Sequence, residues 1–369
     1  MTTVVFYVSG HGFGHSSRQS EVIRSLLARC PDLEVIVRTS APAWLFENGL
    51  GDQVRVDALN TDTGVIQVDS LTVDVDASIS SAWAFHERLD EFTIAEARRL
   101  KACHAALVIG DIPPLAFGAA ARAGIPSAAI GNFTWDWIYE GYPVEVARVP
   151  ALLPLLRDTY REAVVAWRLP LHAGFEIFRH VVDVPLVARC STRNPDEVRH
   201  LLDLPSDAPL VLFTFGRYGL PRINWSTVAQ LTGYHVVLAT SESQLDQTTS
   251  YPGGPFVRVN TAVMEHHGLR YEDLVAAVEV VIAKPGYGII AECAANDTAM
   301  LYTSRGRFRE YKLLTDGMPE LIRSEFIAQD ELFRGSWQVH IDTLLAQPPR
   351  PRPDVKGADV IADGLLEML

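Results

Sequence analysis

Short apolar runs alternate along the chain with longer segments in which apolar residues recur every three or four positions. The runs predicted as strands are residues 4–9, 33–38, 106–110, 127–130, 210–214, 235–239, 256–259, 280–283 and 299–302. Continuous apolar strands separated by helices are typical of parallel sheets that are covered on both faces. After the first strand we expect a helix that begins near Ser16 and ends before Pro31. The pattern predicts an α/β protein.

The strand and helix series starts afresh at Leu210, after a turn-forming stretch at residues 204–209. The 369 residues suit two domains better than one core. We predict a Rossmann-like domain of residues 1–190 and a second of residues 191–347. Residues 348–369 form a proline-rich segment and a terminal helix that can cross back to the first domain.

Composition narrows the class of partner. The chain has 32 basic and 45 acidic residues, a net charge of −13, which disfavours nucleic acid. The four cysteines show no metal-ligand spacing, and no signal segment precedes the first strand. The apolar stretches are shorter than the roughly 20 residues that cross a bilayer. We expect a cytoplasmic protein without a transmembrane segment.

The first strand leads into a loop with glycines at positions 10, 12 and 14 and histidines at positions 11 and 15. Glycines let the backbone approach a ligand closely, and the helix that follows points N–H groups at the same place. His15 and His11 are therefore candidate general bases, although a histidine in such a loop can also simply cap a turn. The loop lacks the dinucleotide fingerprint, because His15 stands where its third glycine belongs.

A second glycine loop follows the strand at residues 280–283 and reads Lys284-Pro285-Gly286-Tyr287-Gly288. It too leads into a helix, in which Glu292 lies near the start. This carboxylate is either a helix-capping group or an acceptor for two ribose hydroxyls beside a diphosphate.

Two further loops carry cations that can pair with phosphate. Residues 303–311 hold three arginines and Glu310, and residues 214–219 hold Arg217. Solvated surface loops and a plain β–α turn are the alternative interpretations.

Aromatic residues cluster after another strand of the first half, in Asn132-Phe133-Thr134-Trp135-Asp136-Trp137. Clustered aromatic side chains are most often core, but sugar rings also stack on indole faces. Trp135 and Trp137 are candidates for acceptor binding.

With these motifs, the sequence resembles the glycosyltransferase-like N-terminal domain of plant-type L-arabinokinases and their bacterial stand-alone relatives. More distantly, it is similar to the peptidoglycan-precursor N-acetylglucosaminyltransferase. The resemblance rests on residues 10–15 with Arg18, on residues 132–139, and on Lys284, residues 286–288 and Glu292. It implies a GT-B fold, in which two Rossmann-like parallel-sheet domains face each other across a cleft.

The resemblance implies a glycosyltransferase that moves a sugar from a nucleotide-sugar, most simply a UDP-sugar, to an acceptor hydroxyl. The histidine of the superfamily matches His15, its ribose-binding acid matches Glu292, and its sugar-reading pair falls loosely at Arg309 and Glu310. The expected donor-binding residues are Gly14, Arg217, Gly286, Tyr287, Gly288, Glu292, Arg309 and Glu310. The expected acceptor-binding residues are Phe13, Asn132, Trp135 and Asp136.

We expect inversion at the anomeric carbon, no cofactor and no metal ion. The acceptor is a small molecule, a lipid or a glycan. Asp74-Val75-Asp76 matches the metal clamp of other transferases by letters, but it lies far along the chain from the nucleotide loops. A nucleotide-sugar epimerase or hydrolase, or a catalytically silent sugar-nucleotide-binding protein, is the alternative. An NAD-dependent oxidoreductase is a remote third.

Overall fold

The computed structural model describes residues 2–216, 220, 223–240 and 254–369. In these ranges the strands β1 to β15 are Thr3–Val8, Glu34–Thr39, Val54–Ala58, Ile66–Gln67, Val73–Asp74, Ala105–Asp111, Ser127–Gly131, Val165–Arg168, Val181–Asp183, Leu210–Phe213, His235–Thr240, Phe256–Asn260, Val280–Ala283, Ala299–Tyr302 and Ser324–Phe326. Every strand predicted from the sequence is confirmed, with ends that differ by at most one residue. The strands that the pattern missed are short or partly exposed, so their apolar signal is weak.

The helices of the same ranges, α1 to α17, lie between these strands, except that α15 to α17 follow β15. They are Phe13–Arg29, Trp44–Leu50, Val75–His86, Leu89–Ala102, Pro114–Ala123, Trp135–Glu140, Pro143–Val146, Leu152–Tyr160, Pro195–Leu201, Trp225–Val228, Thr261–His266, Tyr271–Ala276, Tyr287–Asn296, Glu310–Leu321, Gln329–Arg334, Gln338–Leu345 and Gly357–Glu367.

Two parallel sheets organise the described part of the chain. The first has the strand order β3-β2-β1-β6-β7-β8-β9, and the second has the order β12-β11-β10-β13-β14-β15. Both consist of parallel pairs, and β4 and β5 form a separate antiparallel hairpin. The predicted α/β class and its parallel sheets are confirmed.

Helix α1 begins at Phe13, three residues before the predicted start at Ser16. Gly12 has a φ of 78°, a conformation that glycine adopts without steric cost, so the chain turns into the helix directly after the strand. His15 therefore lies in the first helical turn rather than in the loop. The helix ends at Arg29, before Pro31, as predicted.

The terminal helix α17 packs against α1 of the first domain. Ser25 Oγ donates to Asp359 at 2.5 Å, and Arg29 Nε donates to Asp363 at 2.6 Å. Ile361 and Leu365 are buried in the same apolar cluster as Ile23 of α1 and Ile290 of α13. The end of the chain thus joins the two halves.

Candidate functional site

The carboxyl ends of β1, β6 and β7 are neighbours at one edge of the first sheet. The α1 N-terminus, Asp111 and Asn132 follow or end these strands and therefore lie side by side. In open α/β sheets ligands bind outside this edge. The chemistry-bearing side chains of the first domain are therefore assembled here.

His15 and Asp111 form a buried pair at this edge. His15 Nδ1 lies 2.9 Å from Asp111 Oδ1, and the two residues are 6% and 1% exposed. Asp111 was not among the residues singled out from the sequence. The sequence feature that could have identified it is an acidic residue at the carboxyl end of the apolar strand β6, which pairs with β1.

Asp111 also binds two more side chains of α1. Arg18 Nε donates to Asp111 Oδ2 at 2.7 Å, its Nη2 contacts Asp111 Oδ1, and Gln19 Nε2 donates to Oδ2 at 2.8 Å. Burial on its own raises the pKa of Asp111, but Arg18 and His15 outweigh it and lower this pKa to about 2. The ionised carboxylate accepts hydrogen bonds only, so His15 donates to it from Nδ1, and in the neutral imidazole the lone pair then lies on Nε2.

A chain of hydrogen bonds continues from Arg18 into the second domain. Arg18 Nη1 donates to Asn132 Oδ1 at 2.7 Å, and Asn132 Nδ2 donates to Glu310 Oε1 at 2.7 Å. Asn132 and Glu310 are both buried. The network that begins at His15 therefore ends on the first residue of α14.

Two helix N-termini, one from each domain, meet beside this network. A Cβ atom on Gly288 would lie 3.2 Å from Gly14 Cα, and one on Gly14 would lie 3.8 Å from Gly288 N. Gly286 is the N-cap of α13 and has open space where a side chain would stand. Helix N-termini bind anions through free N–H groups and the helix dipole.

Three basic side chains from three different loops lie next to the α13 N-terminus. Burial, followed by the charges of Arg305, His15 and Lys284, lowers the pKa of His11 well below its ordinary value. Burial and Arg305 lower the pKa of Lys284 to about 7, and burial lowers that of Arg305. Arg305 Nε is buried without a hydrogen-bond partner among the described residues. Lys284 and Arg305 thus place positive charge beside this N-terminus and can hold an anion, whereas the lowered pKa keeps His11 neutral near pH 7.

The glycine loop of the first domain has a second buried carboxylate beneath it, that of Asp62. Its oxygens accept from Ser9 Oγ at 3.0 Å and from Trp135 Nε1 at 2.7 Å. Burial raises the pKa of Asp62 to about 6, although Ser9, His15 and Trp135 act against it. Trp135 is fully buried and lies edge-on to His11, with ring centroids 5.5 Å apart. Trp135 thus forms the wall of the site, and its indole faces are covered.

Glu292 is held by Arg189, which lies between β9 of the first sheet and β10 of the second. Its Oε1 accepts from Arg189 Nε at 2.7 Å and contacts Arg189 Nη2. Burial outweighs this ion pair and raises the pKa of Glu292. The N-cap of α13 is Gly286 and has no side-chain cap, so the interpretation of Glu292 as a capping group is wrong.

The remaining predicted residues lie around the site rather than together. Arg309 stacks on Trp137 at 4.4 Å and binds Glu140 at 2.9 Å, both in the first domain. Tyr287 accepts from Val187 N at 3.2 Å and lies under Arg18. Phe13 lies edge-on to Trp44, with centroids 5.7 Å apart. Asp136 faces a separate cavity, described below, and Arg217 lies outside the described residues.

The two aspartates of the Asp74-Val75-Asp76 segment have other contacts. Asp74 caps α3 by accepting from Ala77 N, and the exposed Asp76 binds Arg148. Within the described ranges no three His, Cys, Asp or Glu side chains are grouped as a metal site requires. None of the described helices has the length and apolar character needed to cross a membrane.

Comparison with solved structures decides the fold. The glycosyltransferase of kitacinnamycin superposes with a TM-score of 0.62 and 15% identity, over 100% of this chain and 99% of that one. The calicheamicin glycosyltransferase CalG4 gives a TM-score of 0.60 and 16% identity, over 100% and 98%. The chain has the GT-B fold.

A plant GT-B structure is also similar. Phytolacca americana UGT2, complexed with UDP-2-fluoro-glucose and pterostilbene, has a TM-score of 0.59 and 12% identity, over 100% of this chain and 94% of that one. The spinosyn rhamnosyltransferase SpnG complexed with thymidine diphosphate gives 0.59 and 13%, over 100% and 96%. At these identities the likeness is one of fold.

In sequence, the GT-B chain is 29% identical over 369 residues to the L-arabinokinase of Arabidopsis thaliana. The match covers 98% of this chain and 34% of the plant protein, so the chain spans about a third of that curated relative. No protein-family model matches the sequence.

Proposed function

We propose that this GT-B protein is a glycosyltransferase that moves a sugar from a nucleoside-diphosphate sugar, most simply a UDP-sugar, to an acceptor hydroxyl. The observation that carries the proposal is the meeting of the His15–Asp111 pair with the glycine-lined N-terminus of α13. One side offers a base for the acceptor hydroxyl. The other offers N–H groups for a diphosphate.

In the proposed reaction His15 Nε2 takes the proton of the acceptor hydroxyl while its oxygen attacks the anomeric carbon from the face opposite the diphosphate. The bond from that carbon to the diphosphate oxygen breaks, and the configuration inverts. Asp111 holds the imidazole through Nδ1 and stabilises its charged form. The acceptor lies in the first domain between Phe13 and Asn132.

The leaving diphosphate is stabilised without a metal ion in this proposal. Gly286 and Gly288 allow a close approach of phosphate oxygens to the α13 N-terminus. Lys284 and Arg305 supply charge and donors, and the neutral His11 supplies a donor only. Glu310 and Arg309 face the donor sugar. Glu292 accepts hydrogen bonds from the ribose hydroxyls while it stays paired with Arg189.

The test is nucleoside-diphosphate release. A thermal-shift screen of UDP-, GDP-, ADP- and dTDP-sugars selects the donor, because a ligand at 100 times its dissociation constant stabilises by about 2.7 kcal/mol. Release of the diphosphate is then measured with and without a panel of hydroxyl acceptors. Acceptor-dependent release supports transfer, whereas equal release without an acceptor indicates a hydrolase, and an altered sugar without release indicates an epimerase.

A second candidate is a protein that binds sugar-nucleotides without turnover. It is favoured by the pairing of both proposed donor-binding carboxylates within the protein, Glu292 with Arg189 and Glu310 with Asn132. Donor-induced stabilisation with no product from any acceptor supports this candidate.

A further inference from the structure

Helix α6 contributes Trp135 to the reaction site, and its Asp136, Trp137 and Glu140 line a different cavity of about 380 Å³. This volume is in the range of small-ligand pockets, about 300–1,000 Å³. The lining consists of Asp136, Trp137, Glu140, Arg157, Arg161, Gly174, Glu176 and Ile177. Neither His15 nor Asp111 contributes to it.

Asp136 brings an incompletely bonded carboxylate to this cavity. The residue is 2% exposed, and its Oδ2 accepts from Arg157 Nε at 2.8 Å. Burial raises the pKa of Asp136, while Arg157, the Thr134 side chain and the Trp137 N–H act against it. Oδ1 is buried and has no hydrogen-bond partner of acceptable geometry among the described residues. Buried polar groups normally have partners, so this oxygen has the capacity to accept from a ligand.

The cavity wall is built by a close approach of two segments. Gly174 has a φ of 85°, and a Cβ atom there would lie 2.4 Å from Thr134 Oγ1 and 2.5 Å from Trp137 Cβ. A glycine is therefore required for the 170–177 segment to pack against α6. The approach fixes the partly buried indole of Trp137 at the cavity edge.

The lining chemistry suits a neutral polyhydroxylated molecule. Three carboxylates alternate with two guanidinium groups and one indole, so acceptors and donors for hydroxyl groups stand close together. The carboxylates disfavour a phosphorylated or nucleotide ligand, and the many charged groups disfavour an apolar one. An indole beside paired donors and acceptors fits the apolar face and the hydroxyls of a sugar ring.

We propose that this cavity is a second ligand site, which binds a neutral saccharide through Asp136, Trp137, Arg157 and Glu176. Carboxylate oxygens of Asp136 and Glu176 accept from the sugar hydroxyls, and Arg157 donates. The face of the Trp137 ring opposite Arg309 covers the apolar face of the sugar. The site goes beyond the transfer reaction and does not depend on it. A free sugar and a terminal sugar of a glycan present the same chemistry here.

Saturation-transfer NMR on the full chain tests the site without nucleotide, using D-glucose, D-galactose, L-arabinose, myo-inositol and maltotriose as probes. We expect wild type to bind at least one probe. Asp136→Asn and Glu176→Gln should each weaken that binding roughly tenfold, because each removes a charge-assisted hydrogen bond. Asp316→Asn, at an exposed carboxylate of α14 paired with Lys312, is the matched control. Binding of maltotriose alone identifies a glycan, and binding of a monosaccharide identifies a free sugar.

The proposal is overturned if no probe binds wild type, or if Glu176→Gln binds with wild-type affinity. Glu176 is exposed at the rim, so its substitution keeps the test valid even if Asp136→Asn unfolds. A third result would also overturn the proposal. If a nucleotide-sugar displaces the bound sugar and both variants bind the sugar as wild type does, the sugar lies at the reaction site. Because no turnover is measured, failure here is distinct from failure of the transferase proposal.

Discussion

Asn132 Nδ2 donates a hydrogen bond of 2.7 Å to Glu310 Oε1, and both side chains are buried where the two domains meet. The oxygen of the same Asn132 amide accepts from Arg18 Nη1. One amide thus joins the His15–Asp111–Arg18 network of the first domain to the start of α14 in the second. A motif residue of the first domain therefore controls the position of a proposed donor-binding carboxylate.

We expect Asn132→Ala to destabilise the protein by about 1–3 kcal/mol, because Arg18 Nη1 and Glu310 Oε1 lose the buried amide to which they are hydrogen-bonded. Combined with Glu310→Gln in a double-mutant cycle, it should show a coupling free energy of about 0.5–3 kcal/mol. Urea denaturation measures all four proteins. Additive effects of the two substitutions would show that the bond does not link the domains energetically.

Glu292→Ala is expected to weaken donor binding at least tenfold, since one or two charge-assisted hydrogen bonds to ribose are lost. It should also lower the free energy of unfolding, by up to about 3–5 kcal/mol, because Arg189 loses a buried partner. Calorimetry with the stabilising nucleotide-sugar and chemical denaturation separate the two effects. Glu320→Ala, at an exposed glutamate of α14, is the control.

Unchanged donor affinity in Glu292→Ala, together with a large loss of stability, would assign Glu292 to the Arg189 ion pair alone. Loss of affinity with little loss of stability would assign it to the ribose. The loss of stability can be predicted only from the structure, because the sequence does not show that Glu292 is paired with Arg189.

Much of the fold was predictable because apolar strands, and the glycines, aromatic residues and charges in the loops that follow them, are local signals. The loops after β1, β7, β13 and β14 were found in this way, and the structure brings three of their residues, Gly14, Asn132 and Glu310, to the domain boundary. Parallel strands make this possible, because their carboxyl ends share one edge.

The partners of these residues were not predictable, since they lie far apart in sequence. Asp111 ends a strand that no glycine loop follows, and it is 96 residues from His15. Arg189 lies between β9 and β10, 103 residues from Glu292. Side-chain pairing at such separations depends on the packing of whole elements, which residue spacing does not encode.

Turnover is expected to persist in excess EDTA. The proposed site holds phosphate with backbone N–H groups and the cations Lys284 and Arg305, while Asp74 and Asp76 have other contacts. Nucleoside-diphosphate release with and without EDTA measures this. Complete loss of activity that Mg²⁺ restores would contradict the metal-independent proposal.

Donor affinity should fall as the pH rises through about 7, with Lys284 as the cause. Burial and Arg305 lower its pKa to about 7, while Asp69 acts in the opposite direction. A bound diphosphate favours the protonated amine of Lys284. Above pH 7 the amine must therefore take up a proton when the donor binds, and the affinity falls up to tenfold per pH unit. Lys284→Arg keeps its charge and should remove this dependence. Calorimetry between pH 6 and about 9 checks it, and an unchanged profile in Lys284→Arg would contradict it.

His15→Ala is expected to lower kcat by about 10²–10⁴ while donor affinity stays nearly unchanged, because it removes the base but no phosphate ligand. Asp111→Asn should also lower kcat, since the amide no longer stabilises the charged imidazole. His200→Ala, at an exposed histidine of α9, is the matched control. Steady-state kinetics and donor calorimetry on the same samples give the two readouts.

A kcat within a few-fold of wild type in His15→Ala, with turnover abolished in His11→Ala, would move the base to His11. Activity in both variants would exclude both histidines as the base.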